Sequence, residues 1–192
     1  MRAGSSRTRE GCCWSGLPAD DPMTEVEAIR AELRAALAGD PWHGSSLAAI
    51  LEGIDATAAA AHTVSGRHSA WELTLHVTGW VREVARRLRG EAPGLPPDGD
   101  WPPVPDPADE SAWHAAVADL HLAHHELDLA LAAFPAARLD ERVGGERSAA
   151  LGTGVTWRQM LLGVLQHDAW HGGQIAMLTS LERSRRSVDS PC

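Results

Sequence analysis

Trp157-Arg-Gln-Met-Leu-Leu-Gly-Val-Leu-Gln-His167-Asp-Ala-Trp-His171-Gly-Gly-Gln174-Ile-Ala-Met-Leu178 is the stretch that decides how this chain is read. At ~100° per residue, Trp157, Met160, Val164, His167, His171, Ile175 and Leu178 fall on one stripe of a helix. His167 and His171 are four residues apart, so their imidazoles stand one above the other on that stripe. A face of this composition is a buried face, and an unpartnered buried polar group costs about 1–3 kcal/mol. Two answers are open from this helix alone: a shared metal ion, or a hydrogen-bonded pair in the core.

Working outward, the chain of 192 residues is long enough for one domain with its own core. Hydrophobic residues make up 44% and charged residues 22%, and Ala and Leu dominate, which favours an all-α fold. A net charge of −9 argues against a nucleic-acid partner. No apolar run approaches the ~18 residues of a membrane span, so no membrane partner is expected. The three cysteines, Cys12, Cys13 and Cys192, fit neither a disulfide framework nor a zinc ribbon, and a reducing, cytoplasmic location is the expectation.

Residues 1–21 lack helical periodicity and the apolar core of a signal peptide, and read as a disordered leader. A start at Met23 would remove that leader. The spacing predicts a first helix over 22–37, with Asp21 as cap, Pro22 in its first turn and Gly39 ending it. Ser46 caps a shorter helix over 47–54, and an Ala-rich segment follows to about Ala61. Ser69 with Glu72 forms a capping box for a helix over 70–89, whose stripe is Leu73, Val77, Trp80, Val84 and Leu88, with His76 beside it. Residues 91–108 hold seven of the twelve prolines and form a long loop anchored by Trp101. Another helix covers 108–133, with Trp113, Ala116, Val117, Leu120, His124, Leu127 and Leu131 on one face. Residues 136–154 are loop, Thr156 caps the last helix to about Leu181, and Ser184 onward reads as a polar tail. The domain therefore spans 22–183, and four amphipathic helices facing inward make a helix bundle.

A catalytic zinc site needs three protein ligands, and a structural one needs four. His76 is the candidate third ligand to His167 and His171, against a hydrogen-bonded histidine at the core edge. His124, inside its stripe, is read as a core histidine rather than a fourth ligand. His114, His121 and His125 read as a solvated face, and His43, beside Trp42, as a pocket residue. A zinc protease has His-Glu-x-x-His; here Asp168 replaces Glu, is one methylene shorter and projects from the far edge of the stripe, so that class is set aside.

Three stretches together resemble the DinB-like superfamily and, within it, the YfiT-like branch described as metal-dependent hydrolases. They are Trp42-His43-Gly44-Ser45-Ser46-Leu47, Ser69-Ala-Trp-Glu-Leu-Thr-Leu-His76-Val-Thr-Gly-Trp80 and Gln166-His167-Asp-Ala-Trp-His171-Gly-Gly-Gln174-Ile175. Asp100-Trp101-Pro102 and Trp113 also fit. The resemblance implies a four-helix bundle in up-down-down-up order and one divalent metal on His76, His167 and His171. Zn or Ni suits that set best, and Fe or Mn is compatible. It further implies a small-molecule substrate, hydrolase or low-molecular-weight-thiol transferase chemistry, and a homodimer. A non-catalytic metal- or ligand-binding bundle is the alternative. No residue beyond the ligands is given a catalytic role. Gln174 is read as bracing His171, Glu72 and Glu83 as solvated carboxylates, and Gly172 with Gly173 as a point of close helix packing.

Overall fold

Short polar side chains set where the helices begin. In this computed structural model, which describes residues 23–189, Thr24 accepts from Glu27 N–H while the Glu27 carboxylate accepts from Thr24 N–H. That reciprocal box starts α1 at Glu25, and α1 runs to Ala38. The start differs from the expected cap at Asp21, which lies outside the described residues together with the leader and all three cysteines. Thr24 and Glu27 satisfy two orphan donors at once, whereas Asp21 could satisfy one.

Ser46 caps α2 (Leu47–Leu51), Asp55 caps α3 (Ala56–Ala60), and Ser69 with Glu72 boxes α4 (Ala70–Leu88). The segment 47–54 thus breaks earlier than its periodicity predicts. Asp55 competes for the chain by capping α3 through Ala58 N–H, and Gly53 bends it at φ +72°. Asp109 caps α5 (Glu110–Ala132). Thr156 and Gln159 exchange backbone–side-chain bonds at the start of α6 (Trp157–Asp189). Helix α6 continues past Leu181, so Ser184 to Asp189 is helix rather than tail. Arg186 holds that extension by bonding Asp55 and, one turn back, Glu182.

The fold is all-helical among the described residues, with no strand. The four longer helices meet in a ring: α4 packs on α5 and α6, and α1 packs on α5 and α6. Short α2 lies on α6, where Gly172 provides the room. A Cβ at Gly172 would sit 3.1 Å from Leu47 Cδ2. Gly173 has no neighbour within 4 Å of that position, so only the first glycine of the pair serves packing. The core runs between Trp71, Trp113, Leu120, Leu127, Leu161 and Ile175.

Candidate metal centre

Two helices and one loop build the centre. Helix α6 carries His167 and His171 on its inward stripe, and α4 brings His76 against them from the other side. Their ligand-capable nitrogens all lie within 4.8 Å of one another. His76 Nε2 is 3.0 Å from His167 Nε2. His124 does not join them.

The outer ring nitrogens decide which atoms remain free. His76 Nδ1 lies 2.7 Å from the Asp100 carbonyl oxygen. A carbonyl can only accept, so Nδ1 carries the hydrogen and, in the neutral ring, Nε2 is left as a lone pair. His171 Nδ1 donates in the same way to Gln174 Oε1 at 3.0 Å, with the same consequence for its Nε2. Bracing by Gln174 was legible in the sequence. Two imidazole nitrogens 3.0 Å apart, one of them a lone pair, need a proton or a cation between them. Donors braced through Nδ1 and turned inward through Nε2 are what a histidine-bound metal requires.

The loop 91–109 supplies more than Asp100 O. The Asp100 carboxylate accepts from Trp80 Nε1–H at 2.7 Å, and the Trp101 ring stacks on His76 with centroids 3.9 Å apart and on His68 at 3.6 Å. Pro96 lies over Gly79 of α4, where a Cβ would come within 3.1 Å of it. Trp101 is therefore the anchor its sequence context predicts, and Asp100 is a brace that composition did not reveal.

Burial and neighbouring charge keep His167 and His171 neutral. Burial, followed by the neighbouring His171 and His76, pushes His167 down from 6.5 to about 4. His171 is also pushed down, chiefly by burial, with the Gln174 hydrogen bond working against the fall. Neutral imidazole is the form that binds a metal.

The other polar candidates have different employment. Asp168, 1% exposed, accepts from His124 Nε2–H at 3.0 Å, and His124 Nδ1–H donates to the Leu120 carbonyl. Asp168 is thus no general base for this site, and His124 is the core histidine expected of it. Glu83 is not solvated: it is fully buried, bonded by Arg87 Nε–H and Gly94 N–H on one oxygen and by Arg86 Nη1–H on the other. Its carboxyl reads as surface from sequence because its burial depends on where the Arg87 side chain and the proline loop fold over it. Glu72 serves the Ser69 cap and His62. His43 is exposed and lines a small cavity with Asp168 and Gly172, away from the three histidines. His114 and His125 are exposed and His121 half-buried, none of them at the centre.

A family model of the DinB superfamily matches residues 42–175, well over half of the chain. The chain belongs to the DinB superfamily. The matched span runs from the Trp42-His43 turn to Ile175 and so contains all three histidines of the centre. No curated protein and no solved structure matches this DinB-superfamily chain. The three-histidine group and the family fit metal binding together. No helix among the described residues is long and apolar enough to cross a membrane.

Two cavities flank the DinB centre. One of about 320 Å³ touches His167 and is lined by Trp80, Val84, Leu151, Val155, Met160 and Val164. The other, about 440 Å³, touches His171 and is lined by Trp101, Trp170, Met177, Leu178, Arg67 and His68 among others. Both are of a size that admits small organic molecules.

Proposed function

We propose that this DinB-superfamily chain is a divalent-metal-dependent enzyme of the YfiT-like branch, a hydrolase or low-molecular-weight-thiol transferase acting on a small molecule. Its proposed ligands are His76, His167 and His171, through Nε2, in a four-helix bundle of up-down-down-up order. The observation that carries the reading is the pairing of His76 Nδ1–H with Asp100 O and of His171 Nδ1–H with Gln174 Oε1, which turns both Nε2 atoms inward as lone pairs. Three protein ligands leave coordination open, as catalytic sites do, and no fourth histidine or carboxylate joins the group among the described residues. A bound divalent ion there supplies Lewis acidity and lowers the pKa of bound water or thiol towards neutrality. The chain's own residues do the rest. Asp100 and Gln174 fix the two imidazoles, Trp101 covers His76 from water, and the two cavities present reactants from the His167 and His171 sides.

Separate cavities against different members of the triad favour a reaction of two organic molecules, hence transfer, over hydrolysis, for which one cavity and water suffice. Zn or Ni fits the donor set best. A homodimer and a cytoplasmic setting belong to the same reading.

The test is direct. Purified chain should bind about one divalent ion, and His171→Ala should lose most of it while its helical circular dichroism is unchanged. Full metal occupancy in the folded variant would overturn the ligand assignment. Metal-loaded chain given a low-molecular-weight thiol and a panel of electrophiles and esters should turn over at least one of them. A loaded chain inactive across the panel would leave the non-catalytic binding bundle as the better reading.

A further inference from the structure

The two cavities differ in charge. In the His167 cavity the buried cation is already consumed: Arg87 donates to Glu83, to the Leu151 carbonyl and to the Gly94 carbonyl. Arg147, at its rim, donates to the Ser148 and Thr153 carbonyls. That cavity offers an incoming molecule apolar wall and little else.

The His171 cavity is the opposite case. Arg67, an exposed residue, lines it, and its guanidinium has no hydrogen bond or ion pair among the described residues, though the chain carries a net charge of −9. No carboxylate lines this cavity. Glu72, 3.7 Å from His68, is engaged by the Ser69 N–H and by His62. The walls are aromatic and apolar, with Trp101 stacked on His76, and Trp170 and Met177 exposed at 69% and 57%. A free planar cation, two indoles and a thioether beside a histidine of the centre are matched by one kind of ligand.

We infer that the His171 cavity is a substrate subsite for an organic anion with a flat apolar body, whose carboxylate or sulfonate is received by Arg67. This rests on the reading of the three histidines as the reaction centre. With both faces of Trp101 taken by His68 and His76, the body of the ligand lies between Trp170 and Met177 and meets Trp101 at its edge, and its reacting end faces His171. Arg67 is a specificity residue here: it selects the anion and takes no part in bond making.

The test uses 2-naphthalenesulfonate, a poor metal ligand, and the neutral methyl 2-naphthyl sulfone, titrated calorimetrically into the full chain without metal and with one equivalent of zinc. The sulfonate is expected to bind roughly tenfold more tightly than the sulfone, the worth of one charge-assisted hydrogen-bonded pair. Arg67→Gln should abolish that preference and leave the sulfone affinity unchanged, while Arg67→Lys should keep part of it. Trp170→Ala, at an exposed position, should weaken both probes alike. Failure of either probe to bind the wild-type chain, an equal affinity for both, or an unchanged preference in Arg67→Gln would each overturn the proposal. Zinc stoichiometry is read in the same titrations. A chain that binds no zinc but keeps an Arg67-dependent preference would overturn the metal reading and leave the anion subsite standing.

Discussion

His124 shows how much a single ring can be made to say. Both of its nitrogens face acceptors, the Leu120 carbonyl and the Asp168 carboxylate, each at 3.0 Å. Both must therefore donate, which only imidazolium can do. Burial opposes that charge, yet the Asp168 hydrogen bond and its negative charge outweigh burial and hold His124 above 6.5. The result is a buried ion pair joining α5 to α6 one residue from His167. Removing one partner of such a pair strands a charge, at about 3–5 kcal/mol, whereas replacing both by apolar groups is close to neutral. Asp168→Ala should accordingly unfold at markedly lower denaturant. The double variant His124→Phe with Asp168→Leu should recover most of the loss. A double variant no more stable than Asp168→Ala would refute the ion-pair account. Asp168 Oδ1 has no protein partner, so the pair uses one carboxylate oxygen only.

At the scale of elements, the loop 91–109 governs the centre as much as the helices do. It is fastened to α4 at Gly79, under Pro96, and by the Glu83 carboxylate on Gly94 N–H. Gly79 costs α4 about 1 kcal/mol against Ala, a cost that the close loop approach explains. Gly79→Leu should leave α4 helical yet lift the loop, taking Asp100 and Trp101 off His76. The expected outcome is a metal affinity lower by roughly 10–100-fold, the usual effect of removing a brace behind a ligand, with little change in helix content. Unchanged metal affinity would mean that His76 needs no help from the loop. What could be read from sequence here, and what could not, divides along the same line. The caps at Ser46, Ser69 and Thr156 and the His167–His171 pair are written in spacings of three and four residues, where local geometry is fixed. Asp100 behind His76, Asp168 under His124 and Glu83 with Gly94 join residues 24, 44 and 11 positions apart. A carboxylate on a helix reads as solvated until its distant partner is placed, and so Glu83 did. The extension of α6 beyond Leu181 fails for the same reason, because Arg186 finds Asp55 from 131 residues away.

For the whole molecule, two sets of histidines pull stability in opposite directions with pH. His167 titrates near 4 when folded and near 6.5 when unfolded, so between those values the unfolded chain holds the extra proton. Metal-free protein should therefore lose stability as pH falls from about 6.5 towards 4, and His171, shifted the same way, adds to the loss. His124 is shifted upward, so the folded chain holds the extra proton above 6.5. Its contribution is complete below 6.5 and is lost as pH rises through its folded value. Carboxylates held low by arginine, such as Asp128 beside Arg30, withdraw support only further down, within the carboxylate range. The metal-free chain should consequently be most stable near neutrality, with an acid limb belonging to His167 and His171 and an alkaline limb belonging to His124. The two limbs are separable by experiment. One equivalent of zinc, binding neutral imidazole, should raise the acid limb in denaturant titrations and leave the alkaline slope as it was. The His124→Phe, Asp168→Leu double variant should flatten the alkaline slope and leave the acid limb intact. If zinc leaves the acid limb unchanged, the histidines whose protons set that limb are not the ones that hold the metal.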